Sequence, residues 1–299
     1  MILLFASKCL KGKCILYFEV KPIEPGLHIV SMPIGRARDI TLNALDVLAS
    51  VDVIVAEDTR MIKKILNIYE IPKRKLQIIS YHDYNAKAQI PKILKFLENN
   101  RRVAFVSDAG TPLISDPGYL LVKETAQKGF LVTSAPGPSA VLAALTVSGL
   151  PTDRFMFCGF LPNQKSARLK FLTSCNIPET TLIFFETSNR ILSCLEDIEL
   201  QFGKDREIVV CRELTKKFET IYRGTVFEIK EDLSTGVIKG EIVLIISPAV
   251  IEKNNCDEVE ESLIKLMKSH SLKESVQIVS ESFNVRKKSV YQIALGLKI

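Results

Sequence analysis

The sequence predicts an α/β fold of two layered lobes followed by a short helical tail. Between residues 27 and 148, apolar β-type runs alternate with segments whose apolar residues recur at helical spacing. That order gives a parallel sheet with helices on both faces. Four of the runs stop in polar loops rich in Gly, Pro or Asp. In such a sheet these loops share one edge, where α/β proteins bind ligands. After a linker-like stretch at 148–153 a second strand–helix set follows, its shorter connections allowing antiparallel pairing. Beyond Pro248 the pattern is purely helical.

Taken in order, residues 27–32 form a β run that leaves into Pro33-Ile34-Gly35, and Asp39 then stands as N-cap before apolar positions at helical spacing. Residues 51–56 read as a buried strand ending at Glu57-Asp58-Thr59-Arg60, with a helix through Lys63 and Lys64 behind it. A basic knot, Lys73-Arg74-Lys75, precedes a strand at 76–80 and the aromatic loop Tyr81-His82-Asp83-Tyr84-Asn85. A helix over 90–100 delivers the chain to a strand at 103–106. Its loop, Ser107-Asp108-Ala109-Gly110-Thr111-Pro112, is followed by a second polar break at Ser115-Asp116-Pro117-Gly118 and a helix over 119–128. A strand at 130–134 ends in Ala135-Pro136-Gly137-Pro138-Ser139, before a helix of small apolar residues over 140–147. The second half holds strands at 156–159, 181–185, 207–211, 220–224 and 241–246, with helices around 165–173 and 190–202. In the tail, 272–283 and 290–297 flank a turn in the manner of a helix-turn-helix. The expected division is an N-terminal extension (1–25), an N-terminal α/β domain (26–148), a second α/β domain (149–250) and the tail (255–299).

Composition limits the classes. The 299 residues suffice for two domains, and 47% apolar with 25% charged residues is a globular profile. No apolar run approaches the ~20 residues of a membrane span. Residues 1–18 place their apolar run before the lysines and show no small-residue cleavage site, so they read as an extension rather than an export signal. Seven scattered cysteines and three histidines offer neither a disulfide frame nor a metal site, and fit a reducing cytoplasm. The net charge of +6 permits an acidic partner.

The glycine signatures that wrap phosphates, GxGxxG and GxxxxGK[ST], are absent, which lowers the expectation of a dinucleotide or nucleoside triphosphate. A ligand with hydroxyls, a carboxylate and a cation would suit Asp108, Ser139 and the loop backbone. S-adenosyl-L-methionine meets that description without being required by it.

The loops named above, in this order, resemble those of the tetrapyrrole-methylase superfamily, the class III S-adenosylmethionine-dependent methyltransferases. The resemblance extends through Ser148-Gly149-Leu150-Pro151-Thr152-Asp153, Gly159-Phe160-Leu161-Pro162, Glu186 with Arg190, Arg212-Glu213-Leu214-Thr215-Lys216 and Lys239-Gly240-Glu241. It implies two α/β domains with the cofactor cleft between them, a small C-terminal helical module, and 2′-O-methylation of a decoding-centre cytidine in 16S ribosomal RNA by a homodimer. It further implies a donor held by Pro33, Asp108, Gly110, Thr111, Pro112, Ser139 and Ala140, with Phe185 and Gly240 reaching over from the second domain. The 30S subunit or its RNA is the implied partner. Two departures stand out: Arg36 where the family usually has Asn, and Asn189 where it usually has His, which weakens an imidazole as proton acceptor.

Acid–base and orienting roles are expected of Glu57, Asp58, Arg60, Glu186, Arg190 and Glu213. Glu57 to Arg60 read equally as a helix N-cap with an ion pair, and Glu186 with Arg190 as an i,i+4 pair tying a loop. RNA contact is expected of Lys63, Lys64, Arg74, Lys165, Arg168, Lys216, Arg286 and Lys287, with Tyr81 or Tyr84 available to stack a base. Two other readings stay open. A corrin-precursor methylase of the same fold would typically open with Gly-x-Gly-Pro-Gly, and a non-catalytic RNA-binding factor would bind no donor.

Overall fold

The structure is a computed structural model that describes residue 20, residues 22–72, 76–249, 253–283, 285 and 287–297, and the backbone of 9–10 and 13–14. Two short strands, β1 (Cys9–Leu10) and β2 (Lys13–Cys14), pair antiparallel. The rest of the expected extension up to residue 19 lies outside the described residues.

The first sheet contains β3 (Gly26–Val30), β4 (Val53–Ala56), β5 (Gln77–Ser80), β6 (Arg102–Val106) and β7 (Val132–Ala135) in the order β5-β4-β6-β3-β7. Every pairing in it is parallel. The central strands are buried along their length because helices cover both faces. One face packs on α1 (Leu42–Ser50) and α2 (Thr59–Ile68), the other on α3 (Ala86–Glu98) and α4 (Tyr119–Gln127). The α1 cap is Thr41 and not Asp39. Asp39 closes a 3-10 turn at Ala37–Asp39, and the Thr41 hydroxyl accepts the Ala44 N–H at 3.1 Å. α3 starts earlier than its periodicity suggests, because Asn85 is pinned to the Ser80 carbonyl and the His82 N–H and launches the helix there.

The chain then forms α5 (Ala140–Ser148) and enters the second sheet. This contains β8 (Phe155–Phe160), β9 (Thr181–Thr187), β10 (Glu207–Arg212), β11 (Thr220–Thr225) and β12 (Glu241–Ile246) in the order β11-β10-β12-β9-β8. Only β8–β9 is parallel; the other pairings are antiparallel. One face packs on α6 (Lys165–Cys175), α7 (Ile191–Phe202) and α8 (Val226–Ser234). The other face packs on α5, whose Val141, Ala144 and Leu145 join Ile183, Val209 and Ile245. The small side chains of α5 permit that close approach.

The two sheets lie in one compact unit, Met1–Cys175 with Thr181–Ser247. A second unit, Asn176–Thr180 with Pro248–Ile299, holds α9 (Lys253–Leu266), α10 (Leu272–Ser282) and α11 (Lys287–Gly296), which bury Val259, Leu263, Val276, Val279, Val290 and Ala294 together. α10 begins with a capping box between Ser271 and Glu274. Among the described residues no helix is long and apolar enough to cross a membrane.

Candidate active site

Because the first sheet is parallel throughout, the loops after β3, β4, β6 and β7 leave from one rim. They are laced together. Met32 and Gly110 exchange backbone hydrogen bonds of 2.8 and 3.0 Å. The Thr111 hydroxyl donates to the Pro138 carbonyl at 3.0 Å. In the loop after β6, Leu113 and Ser115 sit at φ 73° and 60°, left-handed conformations that persist only where the surroundings hold them. Gly118 anchors its far end at φ 129°, where a Cβ would come within 2.6 Å of the Phe105 ring.

The second sheet supplies the facing wall. The end of β9 brings Phe185, Glu186 and Thr187, and the start of β12 brings Glu241, Ile242 and Val243. Gly240 sits at φ 101°, with its Cβ position 2.5 Å from the Glu213 carboxyl, so only glycine fits. The lobes meet where the Arg36 N–H donates to the Thr215 hydroxyl at 3.3 Å.

Between the walls is a cavity of about 340 Å³, within the range of small-molecule sites. Ile34, Ile114, Phe160, Phe185 and Leu214 make it largely apolar, and Asp116, Glu186, Glu241 and Ser139 add polar groups. Of the residues expected around a donor, Gly110, Thr111, Ser139, Ala140, Phe185 and Gly240 line it, whereas Pro33, Asp108 and Pro112 do not. Pro33 and Pro112 are buried beside the loops, and Asp108 is exposed, accepting the Asp58 N–H at 3.1 Å. Asp116, Ile114, Phe160, Leu214 and Glu241 line the cavity although the sequence assigned them no role in the site. For Asp116 the signal was present, since the second polar break after one strand had no structural need.

The titratable groups fall into two kinds. Asp58 caps α2: its carboxylate accepts the Arg60 N–H at 2.7 Å and the Arg60 guanidinium at 2.7 Å, and these bonds hold it at about 2. Glu186 is buried, with Oε1 accepting the Thr187 N–H at 2.8 Å and lying 3.4 Å from Arg190 Nε, while Oε2 accepts the Cys194 thiol at 3.1 Å. Burial and that carboxylate push the Cys194 thiol up to about 12. Arg190 also donates to the Leu161 carbonyl at 2.6 Å. Glu213 accepts the Glu241 N–H and Lys216 Nζ, each at 2.9 Å, which lowers its carboxyl. By contrast, burial followed by the Asp108 charge raises Glu57, and burial followed by the Glu57 charge raises Asp116 to about 6.

The basic residues also divide. Lys63 and Lys64 on α2 and Lys287 on α11 are exposed. Lys165 is exposed while reaching Asp197 at 3.4 Å, and Lys216 bridges Glu213 and Glu241. Arg168 corrects the expectation of RNA contact: it is buried, with Nε 2.6 Å from Asp197, and braces the Pro162 and Asn163 carbonyls. Arg74 and Arg286 lie outside the described residues. Tyr81 is a core residue stacked edge-on against Phe105, while Tyr84 is 99% exposed.

Comparison with known proteins agrees with this architecture. The sequence model described as "Tetrapyrrole (Corrin/Porphyrin) Methylases" matches residues 26–230. A Vibrio cholerae protein named ribosomal RNA small subunit methyltransferase I is 42% identical over 277 residues, spanning 91% of this chain and 94% of that one. A Mesorhizobium japonicum protein of the same name is 39% identical over 279 residues, spanning 93% and 94%. Among solved structures, the methyltransferase CobJ superposes with a TM-score of 0.58 at 18% identity, covering 75% of this chain and 94% of that one. Uroporphyrin-III-C-methyltransferase from Thermus thermophilus gives 0.52 at 18% identity, covering 76% and 96%. At those identities the structures speak to the fold alone.

Proposed function

The chain belongs to the tetrapyrrole methylase family, and from that premise we propose that it transfers the methyl group of S-adenosyl-L-methionine to the 2′-hydroxyl of a decoding-centre cytidine in 16S ribosomal RNA. The relatives' names and the length over which they align support ribosomal RNA as the substrate class. The observation that carries the reading is the chemistry of the cavity. Its lining is apolar with carboxylates and backbone groups, and no lysine, arginine or histidine is among the lining residues. That set suits an adenosyl group bearing a positively charged sulfur and repels phosphate. The N-terminus of α5, where Ser139 and Ala140 line the cavity, offers unpaired N–H groups to a carboxylate.

Gly110, Thr111, Ser139, Ala140, Phe185 and Gly240 would hold the donor, with Pro33, Asp108 and Pro112 shaping the loops behind them. The donor, when bound, supplies an electrophilic methyl on sulfonium. The protein's task is then to align a ribose hydroxyl with that methyl, exclude water and accept one proton. Glu57, Asp58 and Arg60 sit on the rim where the RNA would enter. Lys63, Lys64, Lys165 and Lys287 would meet its phosphates, and Tyr84 a splayed base. We place this chemistry in the cytoplasm, in a homodimer acting on the 30S subunit or its RNA.

The test incubates the protein with methyl-labelled donor and either 30S particles or naked 16S RNA, then maps the product. Label at one 2′-O-methylcytidine is the expected result. Label on tetrapyrroles alone, or none on RNA, rejects the reading.

A further inference from the structure

We infer that Asp116 is the catalytic base of this site, taking the proton of the acceptor hydroxyl as the methyl is transferred. The inference rests on the proposed reaction and adds the group that the family resemblance leaves unassigned, since Asn189 stands where a histidine is usual. It follows from asking which carboxylate on the cavity has an oxygen free to receive a proton.

Glu186 lines the cavity, but Oε1 is taken by the Thr187 N–H and Arg190 and Oε2 by the Cys194 thiol. Both oxygens are therefore occupied by groups of the protein itself. Glu241 also lines the cavity, yet its side chain is 80% exposed and bonded to Lys216 at 2.9 Å. Glu213 is engaged by Lys216 and the Glu241 N–H, and Asp58 by Arg60. Glu57 and Asp108 are not among the lining residues. Asp116 alone is in the wall and half-buried, with no cation bonded to it among the described residues. The nearby Ser107 hydroxyl donates instead to the Ala109 and Gly110 carbonyls, at 3.1 and 3.2 Å.

Its surroundings keep it basic. The charged groups that bear on it are carboxylates, Glu57 after β4 and Asp108 after β6, with Glu186 and Glu241 on the opposite wall. Burial, followed by the Glu57 charge, raises its carboxyl to about 6, close to where a general base works best at neutral pH. The left-handed Ser115 immediately before it and the tight Gly118 after it fix the direction in which it leaves the chain.

The step balances. As the ribose oxygen forms its bond to the methyl carbon, the carbon–sulfur pair stays on sulfur, which becomes a neutral thioether. The hydroxyl proton passes to the Asp116 carboxylate, leaving a carboxylic acid that later releases it to water.

The experiment compares wild-type protein with Asp116→Asn and Asp116→Glu in single-turnover methylation of 30S particles between about pH 5 and pH 9. Donor affinity is measured by calorimetry, and the Asp116 titration by carboxyl-carbon NMR of the free protein. Asp116→Asn should lose about 100- to 10,000-fold in rate and the rise in rate through about pH 6, while donor affinity stays within about tenfold, which shows that the fold survives. Asp116→Glu should regain part of the rate. Glu57→Gln should move the rise to lower pH by removing a neighbouring negative charge. Labelled RNA from Asp116→Asn at a rate within about threefold of wild type, or a variant that keeps the rise, overturns the inference alone. No labelled RNA from the wild type overturns it together with the reaction it rests on.

Discussion

Asp116 and Glu186 line one cavity from opposite walls under opposite regimes. Asp116, on the parallel sheet's rim, has the Glu57 and Asp108 carboxylates bearing on it and, among the described residues, no cation bonded to it. Glu186, at the end of β9, has both oxygens bonded and an arginine beside it. Two other carboxyls of the site differ likewise in their surroundings: Glu57 is raised by burial and then by Asp108, whereas Glu213 is lowered by a backbone N–H and Lys216. Burial beside other carboxylates raises a carboxyl's affinity for protons, as at Asp116, while bonds from an N–H and an ammonium lower it, as at Glu213.

Three substitutions would break or sharpen that contrast. The largest effect on stability is expected from Arg190→Ala, which strands Glu186 as a buried charge and frees the Leu161 carbonyl. Urea unfolding should show a loss of about 3 kcal/mol. Unchanged stability with lost methyl transfer would instead make the pair part of the chemistry. Tyr84→Ala should come next and act only on RNA. Loss of a stacked base is worth about 1–3 kcal/mol, so RNA affinity should fall about 5- to 150-fold in a filter-binding assay while donor affinity and Tm hold. A change in Tm would mean the ring packs in the fold.

The smallest effect is expected from Asp58→Ala, which removes the α2 cap. The native carboxyl lies at about 2, below its ordinary 3.8. The stabilisation it adds is thus present above pH 3.8 and disappears as pH falls through about 2. Wild type and variant should differ in Tm at pH 6 and converge below pH 2. A gap that persists in acid would show that the cap acts through something other than its charge.

Much of this molecule was readable along the chain. The alternation of apolar runs with helical spacing located nearly every strand to within a residue or two, because burial on both faces demands continuous Val, Ile and Leu. The misses have local causes. Asp39 and Thr41 are both able caps, and only the 3-10 turn at Ala37–Asp39, which takes up Asp39, decides between them. α8 went unread although Thr225 and Glu228 form a capping box, since a nine-residue helix right after a strand gives little periodicity to see.

Side-chain roles were less accessible. Arg168 reads as one of three basic residues on a helix, yet its partner Asp197 is 29 positions away and pulls it into the interior. Tyr81 and Tyr84 look alike in a polar loop, but one fills the core and the other faces solvent. The succession of strands along the chain, the loops they end in and the family those loops resemble were determined by the sequence itself, because backbone periodicity and turn chemistry are local. Which carboxylate lines the cavity with no cation bonded to it among the described residues was decided only by the tertiary structure, because the fate of a charge depends on what the fold brings beside it.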